Sequence, residues 1–221
     1  MKVPLLDLKE QNDALRPEIE AALGRVLDTN GFILGGEVAE LECELAGYCG
    51  TKYAIGCASG SDAILLALMA LDVGPGDEVI TTPYSFFATV SAITRLGATA
   101  VFVDIDPVTY NLDVKQVEAR ITAQTKAIEP VHLYGQCADM AALREISDRH
   151  GIPLVEDAAQ AIGAEEDGVR AGAMGAIGAF SFYPSKNLGG MGDGGFITTN
   201  DDALAKKLLA LRVHGSEVKY Y

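Results

Sequence analysis

The stretch Ile152-Pro153-Leu154-Val155-Glu156-Asp157-Ala158-Ala159-Gln160 joins a short apolar run to a polar end. Residues 152–156 have the apolar character of a buried strand, and Gly151 before them is typical of the C-terminal end of a helix. Strands that alternate with helices form mostly parallel sheets, whose ligands bind beyond the carboxyl ends of the strands. Asp157 follows such an end, so the stretch predicts a fold class and also the position of a site.

The same alternation runs along the whole chain. Helical spacing predicts helices at residues 13–28, 37–48, 62–71, 86–96, 113–121, 139–149 and 201–212. Short apolar runs predict strands at residues 53–57, 78–82, 99–103, 127–131, 152–156, 178–182 and 195–199. The pattern predicts an α/β fold of three layers, α/β/α, with a mostly parallel central sheet.

Composition limits the function classes. The 221 residues, 49% of them hydrophobic, suit one large domain with a sizeable core. No apolar run reaches the roughly 18 residues of a membrane span, and the first residues lack the apolar stretch of a signal peptide, so we expect a soluble cytoplasmic protein that contacts no membrane. The net charge of −14 argues against a nucleic-acid partner. The four cysteines form no C-x-x-C pair, so we expect reduced thiols and no metal site.

Three polar segments follow predicted strands, and each allows two interpretations. Ser59-Gly60-Ser61 opens a helix, where free N–H groups favour a phosphate, or it simply supplies a serine N-cap. Asp157 can pair with a protonated ring nitrogen or cap the turn that follows it. Lys186, on a loop between Pro184 and Gly189, can be a nucleophilic amine or a solvated lysine.

A glycine-rich segment needs a separate interpretation. Gly190-Met191-Gly192-Asp193-Gly194-Gly195 matches G-x-G-x-x-G, the pattern of dinucleotide-binding loops. That loop requires a strand before it and a helix after it, whereas here a strand is predicted to follow. We interpret the segment as a flexible turn, which argues against a nicotinamide dehydrogenase.

Two blocks are specific in their order and spacing. Residues 156–160 read Glu-Asp-Ala-Ala-Gln, residues 181–189 read Ser-Phe-Tyr-Pro-Ser-Lys-Asn-Leu-Gly, and Asp157 and Lys186 stand 29 residues apart. With these and further segments, the chain resembles the DegT/DnrJ/EryC1/StrS family of sugar-nucleotide aminotransferases. This family is a branch of the fold-type-I pyridoxal 5'-phosphate (PLP) enzymes. The further segments include Gly74–Ile80, Tyr84–Thr89, His132–Gln136 and Arg212–Gly215.

The resemblance covers essentially the whole chain and implies its domain organisation. It implies that residues 1–221 are a PLP-binding large domain of the aspartate-aminotransferase type. The small C-terminal domain that the family carries is expected but is not among these residues. The resemblance also implies a homodimer, because the active sites of the family form between two subunits.

The resemblance assigns catalytic roles to two residues. Lys186 is implied as the Schiff-base lysine and as the group that then moves the proton during transamination. Asp157 is implied as the partner of the pyridine nitrogen, which it keeps protonated so that the ring withdraws electrons.

The other implied cofactor contacts surround these two residues. Phe86 is implied to stack on the ring, although alone it would be interpreted as a core aromatic of a helix. Gln160 is implied as the donor to the phenolate oxygen of the ring, and Gly60, Ser61 and Ser181 are implied to hold the phosphate. His132 also stands in a matched segment, and either a structural histidine or a substrate contact fits it.

The implied reaction is a two-step transamination. L-glutamate gives its amino group to PLP, and the pyridoxamine 5'-phosphate so formed aminates a keto group of a dTDP- or UDP-linked deoxysugar. Such amino sugars serve lipopolysaccharide or polysaccharide biosynthesis. One alternative is a PLP-dependent sugar dehydratase, a branch that has His in place of Lys186. The other is a non-catalytic regulatory relative, which the intact pair of Lys186 and Asp157 argues against.

Overall fold

The computed structural model describes residues 3–4 and 6–216, and its helices and strands alternate along the chain. The helices within these residues are α1 (Lys9–Thr29), α2 (Gly36–Cys49), α3 (Gly60–Ala70), α4 (Phe87–Arg95), α5 (Val114–Val117), α6 (Met140–His150) and α7 (Asp202–Leu211). The strands are β1 (Tyr53–Cys57), β2 (Glu78–Thr81), β3 (Thr99–Phe102), β4 (Thr125–Ile128), β5 (Val155–Asp157), β6 (Glu165–Glu166), β7 (Val169–Arg170), β8 (Ile177–Ser181) and β9 (Gly195–Thr199). Each predicted helix and strand therefore has an observed counterpart.

The central sheet has the order β3-β2-β4-β5-β8-β9-β1. Strands β3, β2 and β4 form one parallel ladder. Strands β5, β8, β9 and β1 form a second, mixed ladder, in which β5 and β8 are parallel and β9 is antiparallel to both β8 and β1. Parallel bridges between Ile128 and Leu154 and between Val131 and Asp157 join the two ladders side by side. Within the described sheet only β9 runs against its neighbours, so the prediction of a mostly parallel sheet is confirmed.

Helices cover both faces of this sheet. On one face, α3, α4 and α7 bury side chains such as Leu68, Ile93 and Leu208 against the strands. On the other face, α2 and α6 do the same with side chains such as Leu45 and Leu143. Neighbouring strand residues divide between the two cores, as alternation in a strand requires. The result is the expected three-layer α/β/α arrangement.

Two predicted strands end early or begin late by more than one residue, and proline is the physical reason. The strand predicted at 127–131 is β4, Thr125–Ile128, and the strand predicted at 152–156 is β5, Val155–Asp157. Pro130 and Pro153 have no N–H to give to a neighbouring strand. Beside them the chain forms only isolated bridges instead of a continuous ladder.

Two further differences are local. The helix predicted at 113–121 is only the short α5, followed by a 3-10 turn at Glu118–Arg120. The hairpin of β6 and β7 was not predicted, although its turn, Asp167-Gly168, has positive φ angles of 51° and 78°. Asp-Gly is a strong hairpin signal, but strands of two residues are too short to show a pattern.

Helix α1 differs from the other long helices because none of its residues is buried. Its leucines Leu15, Leu23 and Leu27 are exposed. In the part of the chain that the structure describes, no helix combines the length and the apolar character needed to cross a membrane.

Gly172 provides a test of how tightly the sheet packs. A Cβ at this residue, whose φ is +89°, would lie 2.5 Å from the Phe180 ring, which stacks on Phe196 with centroids 4.3 Å apart. We expect Gly172→Ala to lower the free energy of unfolding by about 3 kcal/mol, from overpacking and a left-handed backbone together. Chemical denaturation followed by circular dichroism measures this loss.

Gly168→Ala is the matched control. Gly168 has a similar φ of +78° but no atom within 4 Å of the added Cβ. Only the backbone cost of about 1 kcal/mol should remain there. Equal losses in the two variants would contradict the packing argument.

Candidate active site

The candidate site lies where β5 and β8 end and where α3 and α4 begin. Gly60 opens α3 beside the end of β8, and a Cβ on Gly60 would lie 2.5 Å from the Cβ of Ser181. Ser59 is the N-cap of α3, because its Oγ accepts a hydrogen bond from the Asp62 N–H at 3.0 Å. The N-cap interpretation is therefore correct for Ser59. Gly60, Ser61 and Ser181 nevertheless lie together at a helix N-terminus, where N–H groups favour an anion.

Asp157 ends β5 and is only 4% exposed. Its Oδ2 accepts a hydrogen bond from the Thr89 hydroxyl at 2.8 Å, and its Oδ1 accepts one from the Ala159 N–H at 3.2 Å. Burial raises the pKa of Asp157, while these two hydrogen bonds and the charge of Lys186 act in the opposite direction. Lys186 is therefore near enough for its charge to favour the ionised form of Asp157.

Lys186 lies on the tight loop that follows β8. Its N–H donates to the Tyr183 carbonyl at 2.8 Å, and the Gly190 N–H donates to the Phe182 carbonyl at 2.7 Å. A Cβ on Gly189 would lie 2.4 Å from the Pro184 carbonyl oxygen, so this turn requires glycine. Lys186 is partly buried, which argues against the interpretation of a freely solvated lysine.

Phe86 and Gln160 have features that suit a ligand. Phe86 precedes α4 and is 67% exposed, so the interpretation as a core aromatic is wrong. The Gln160 Oε1 accepts the Tyr134 N–H at 2.8 Å. Because its oxygen is used in this way, the Gln160 side-chain NH₂ group remains as a donor.

His132 is fully buried, and both of its ring nitrogens bind protein groups. Nδ1 accepts from the Ala138 N–H at 3.1 Å, so the ring proton lies on Nε2, which donates to the Glu156 carboxylate at 2.9 Å. Of the two roles that the sequence allowed, this geometry favours the structural one.

The glycine-rich segment at 190–195 precedes a strand, β9, and not a helix. The condition for a dinucleotide-binding loop is therefore not met. The interpretation as a turn is confirmed.

Sequence reasoning missed three buried groups near Asp157: Thr89, Glu156 and Glu129. Thr89 stands in a matched segment but received no role, and Glu156 was treated only as a strand residue. Glu129 follows Ala127 and Ile128 inside a run predicted to be a buried strand. A charged residue in such a run was the available signal.

Glu156 provides a test of the support beneath the site. Its carboxylate accepts from His132 and from the N–H groups of Gly172, Met174 and Gly175. Glu156→Gln would turn an NH₂ group toward these donors, so we expect a loss of about 3 kcal/mol in the free energy of unfolding. Denaturant titration measures it, with the exposed Glu165→Gln as a control that should change it by under about 0.5 kcal/mol. A small effect at Glu156 would show that these hydrogen bonds contribute little.

Comparison with known proteins identifies the family. The sequence model of the DegT/DnrJ/EryC1/StrS aminotransferase family matches residues 13–221. The chain is 58% identical over its full length to a pleiotropic regulatory protein of Geobacillus stearothermophilus. Over 99% of its length it is 49% identical to a UDP-N-acetyl-3-dehydro-alpha-D-glucosamine 3-aminotransferase of Acidithiobacillus ferrooxidans. It spans 59% of the length of each of these relatives.

Solved structures agree in fold over the chain. DesV of S. venezuelae, solved in complex with a ketimine intermediate, matches 100% of the chain at 51% identity with a TM-score of 0.96. The Bacillus subtilis protein ntda, solved with the bound cofactor PMP, matches 99% at 40% identity with a TM-score of 0.92. The chain covers 59% and 50% of those two proteins. The chain thus has the fold-type-I architecture and belongs to the DegT/DnrJ/EryC1/StrS aminotransferase family.

Proposed function

We propose that this chain is the PLP-binding large domain of an aminotransferase. The enzyme would transfer an amino group from L-glutamate to a keto group of a dTDP- or UDP-linked deoxysugar. The observation that carries the proposal is the buried Asp157 carboxylate at the end of β5, next to β8, the strand that the Lys186 loop follows. Membership of an aminotransferase family supports it.

The phosphate end of PLP fits the start of α3. Gly60 carries no side chain, which lets Ser181 lie directly against the first turn of α3. The Ser181 Oγ accepts the Tyr183 N–H at 3.2 Å, which leaves its own O–H as a donor. Gly60, Ser61 and Ser181 would hold the phosphate through N–H and O–H groups.

The ring end of PLP fits the remaining groups. Phe86 offers an exposed ring face for stacking, and Gln160 offers an NH₂ group to the phenolate oxygen. Asp157 would accept a hydrogen bond from the ring nitrogen, and Lys186 would bind the aldehyde carbon. These donors and acceptors match the polar groups of the cofactor one by one.

The chemistry divides between the cofactor and the protein. When bound, PLP supplies an electron sink for the bond changes of transamination. Asp157, when ionised, would hold a proton on the ring nitrogen, and the hydrogen bonds from Thr89 and Ala159 favour that ionised form. The Lys186 amine would move a proton at the reacting carbon of the substrate.

The relatives support the substrate class. The Acidithiobacillus relative is named for a UDP-linked 3-keto sugar, and a Streptomyces venezuelae relative 51% identical to the chain is named for a dTDP-linked amino sugar. We therefore place the chain in amino-sugar biosynthesis, for lipopolysaccharide or other polysaccharides. A cytoplasmic location suits soluble nucleotide-sugar substrates, and the net charge of −14 argues against a nucleic-acid partner.

A homodimer is part of the proposal. Large apolar side chains are exposed near the site and along the N-terminal segment, among them Ile33, Phe87 and Met191. Helix α1 presents Leu23 and Leu27 without burying any residue. Exposed apolar groups of this number are typical of an interface, and a second copy would cover them.

Two other functions compete. The Geobacillus relative is named a regulatory protein, which favours a non-catalytic role, but the chain keeps both Lys186 and Asp157. A sugar dehydratase of this family has His in place of Lys186. The lysine therefore favours transamination over either alternative.

Absorption spectroscopy tests cofactor binding. With PLP, we expect the parent protein to show a visible band that Lys186→Ala lacks and that fades when L-glutamate is added, because the amine at residue 186 binds the cofactor. Lys115→Ala, at an exposed lysine of α5, should keep the band. A band that does not depend on Lys186, or no band at all, would favour the regulatory role.

Thr89→Val tests the control of Asp157. Loss of the hydroxyl should raise the pKa of Asp157 further, because one hydrogen bond to its charged form disappears. We expect roughly tenfold weaker PLP binding near neutral pH, with recovery as the pH rises and Asp157 ionises again. Titration of PLP at several pH values measures this.

Thr94→Val, near the C-terminal end of the same helix, is the control. Its hydroxyl is exposed and donates to the Ser91 carbonyl, away from Asp157. Equal PLP affinity in Thr89→Val and Thr94→Val at every pH would show that Thr89 does not tune Asp157.

A further inference from the structure

Glu129 is a fully buried acid that the proposed chemistry does not use. It follows β4, and its side chain has no exposed surface. The Glu129 N–H donates to the Ile80 carbonyl at 2.8 Å, and its carbonyl accepts the Thr81 hydroxyl at 2.8 Å. Its backbone is therefore fixed between neighbouring strands, and its side chain is enclosed by protein.

The carboxyl group of Glu129 is unusual in its hydrogen bonding. Among the described residues, its two oxygens are the buried side-chain atoms without a hydrogen-bond partner. An ionised carboxylate in that state would lose its hydration without compensation, which is far costlier than burying the neutral acid. The geometry therefore requires Glu129 to carry a proton.

Asp157 is the charged neighbour of this acid. The Asp157 N–H donates to the carbonyl of Pro130, the residue after Glu129, and Val131 pairs with Asp157 across the sheet. Burial and the negative charge of Asp157 both raise the pKa of Glu129 well above its usual value. On its other sides Asp157 meets the Thr89 hydroxyl, the Ala159 N–H, His132 and the charge of Lys186.

The two acids differ in what stabilises their charged forms. Asp157 has two hydrogen-bond donors and a nearby cation, whereas Glu129 has none of these among the described residues. When two neighbouring carboxyls share one proton, it stays on the group whose anion is less well stabilised. That group is Glu129.

We propose that Glu129 is a positioning residue of the PLP pocket. It is a neutral acid that holds the single proton shared by Glu129 and Asp157, so that Asp157 carries the only negative charge of the two. This rests on the proposed function for the identity of the pocket, but not for the protonation of Glu129. The ring nitrogen of PLP would then meet one buried negative charge. If Glu129 ionised at high pH, a second charge would hold the ring-nitrogen proton more firmly.

The first test needs no cofactor and follows stability with pH. In the unfolded chain the pKa of a glutamate is about 4.3, whereas in the folded protein the pKa of Glu129 is raised. The native state therefore binds this proton more tightly than the unfolded state does. The contribution of Glu129 to the free energy of unfolding is fully present below the unfolded pKa, and it is lost as the pH rises toward the folded pKa. Glu129→Gln carries no such proton and lacks this loss.

The measured quantity is the ratio of unfolding equilibrium constants, parent over Glu129→Gln, from denaturant titrations between about pH 5 and pH 8. We expect this ratio to rise with pH, by about tenfold per pH unit until the pH reaches the folded pKa of Glu129, as one proton bound in the native state alone requires. The titration of Asp157 is common to both proteins and cancels in the first approximation. A ratio that stays flat would overturn the proposal.

Controls separate protonation from packing. Glu129→Met removes the acid with a side chain of similar length, so its ratio should rise with the same slope even if its stability at pH 5 differs. Glu18→Gln, on the exposed surface of α1, should give a flat ratio. Infrared spectra of the cofactor-free parent at neutral pH should contain a protonated-carboxyl C=O band that Glu129→Gln lacks, and the absence of that difference would contradict the assignment.

The second test concerns the pocket itself. The Lys186-dependent visible band is followed against pH in the parent and in Glu129→Gln, and we expect an alkaline step in the parent that the variant loses. Identical pH profiles of the band in the two proteins would overturn the role of Glu129 in the pocket. The ratio of unfolding equilibrium constants would still show whether Glu129 is protonated. Absence of any Lys186-dependent band would instead overturn the proposed function and, with it, the pocket role.

Discussion

The Glu156 carboxylate is the interaction on which the arrangement of the site depends. It accepts one hydrogen bond from the His132 ring and three from the backbone N–H groups of Gly172, Met174 and Gly175. These donors come from two segments far apart in the chain, one after β4 and one between β7 and β8. Without the carboxylate, four buried donors would lack partners, so both segments are held against β5 by one side chain.

Strand alternation separates this structural acid from the candidate functional one. Val155, Glu156 and Asp157 follow one another in β5, so Glu156 and Asp157 point to opposite faces of the sheet. Glu156 meets His132 on one face, and Asp157 meets Thr89 of α4 on the other. A shift of one residue in the pairing of β5 with β8 would exchange these environments. The register Val155 with Ile177, continued to Asp157 with Ala179, therefore determines which acid faces the site.

The sequence predicted local features well and long-range ones poorly. The strands and most helices were predictable because their apolar pattern depends only on residues close together in the sequence. At Tyr53–Cys57 the predicted and observed bounds agree. The positions of Asp157 and Lys186 after strands followed from the same pattern. Their roles, and those of Phe86 and Gln160 toward PLP, stay predictions until a cofactor is measured.

What the sequence could not show depends on contacts between distant residues. The Gln160 side chain is oriented by the N–H of Tyr134, a residue with a left-handed φ of 55° although it is not glycine. The environment of Glu129 depends on β2 and β5, which pair with its own segment on either side. No spacing rule reports such pairings, so the isolation of this acid becomes visible only in the folded chain.

Three buried carboxyl groups on adjacent segments of the sheet are accommodated in three physical ways. Glu156 has its charge balanced by four hydrogen bonds, Asp157 has two hydrogen bonds and a nearby lysine, and Glu129 avoids charge by holding a proton. Counting acids would give this region three negative charges, in a chain whose net charge is already −14. Because hydrogen bonds, a nearby cation or a bound proton offset each of these charges locally, the three acids do not prevent an anionic ligand from binding nearby. In the proposed function, the helix N-terminus at Gly60 would hold the phosphate of that ligand through local N–H groups, whatever the sign of the overall charge.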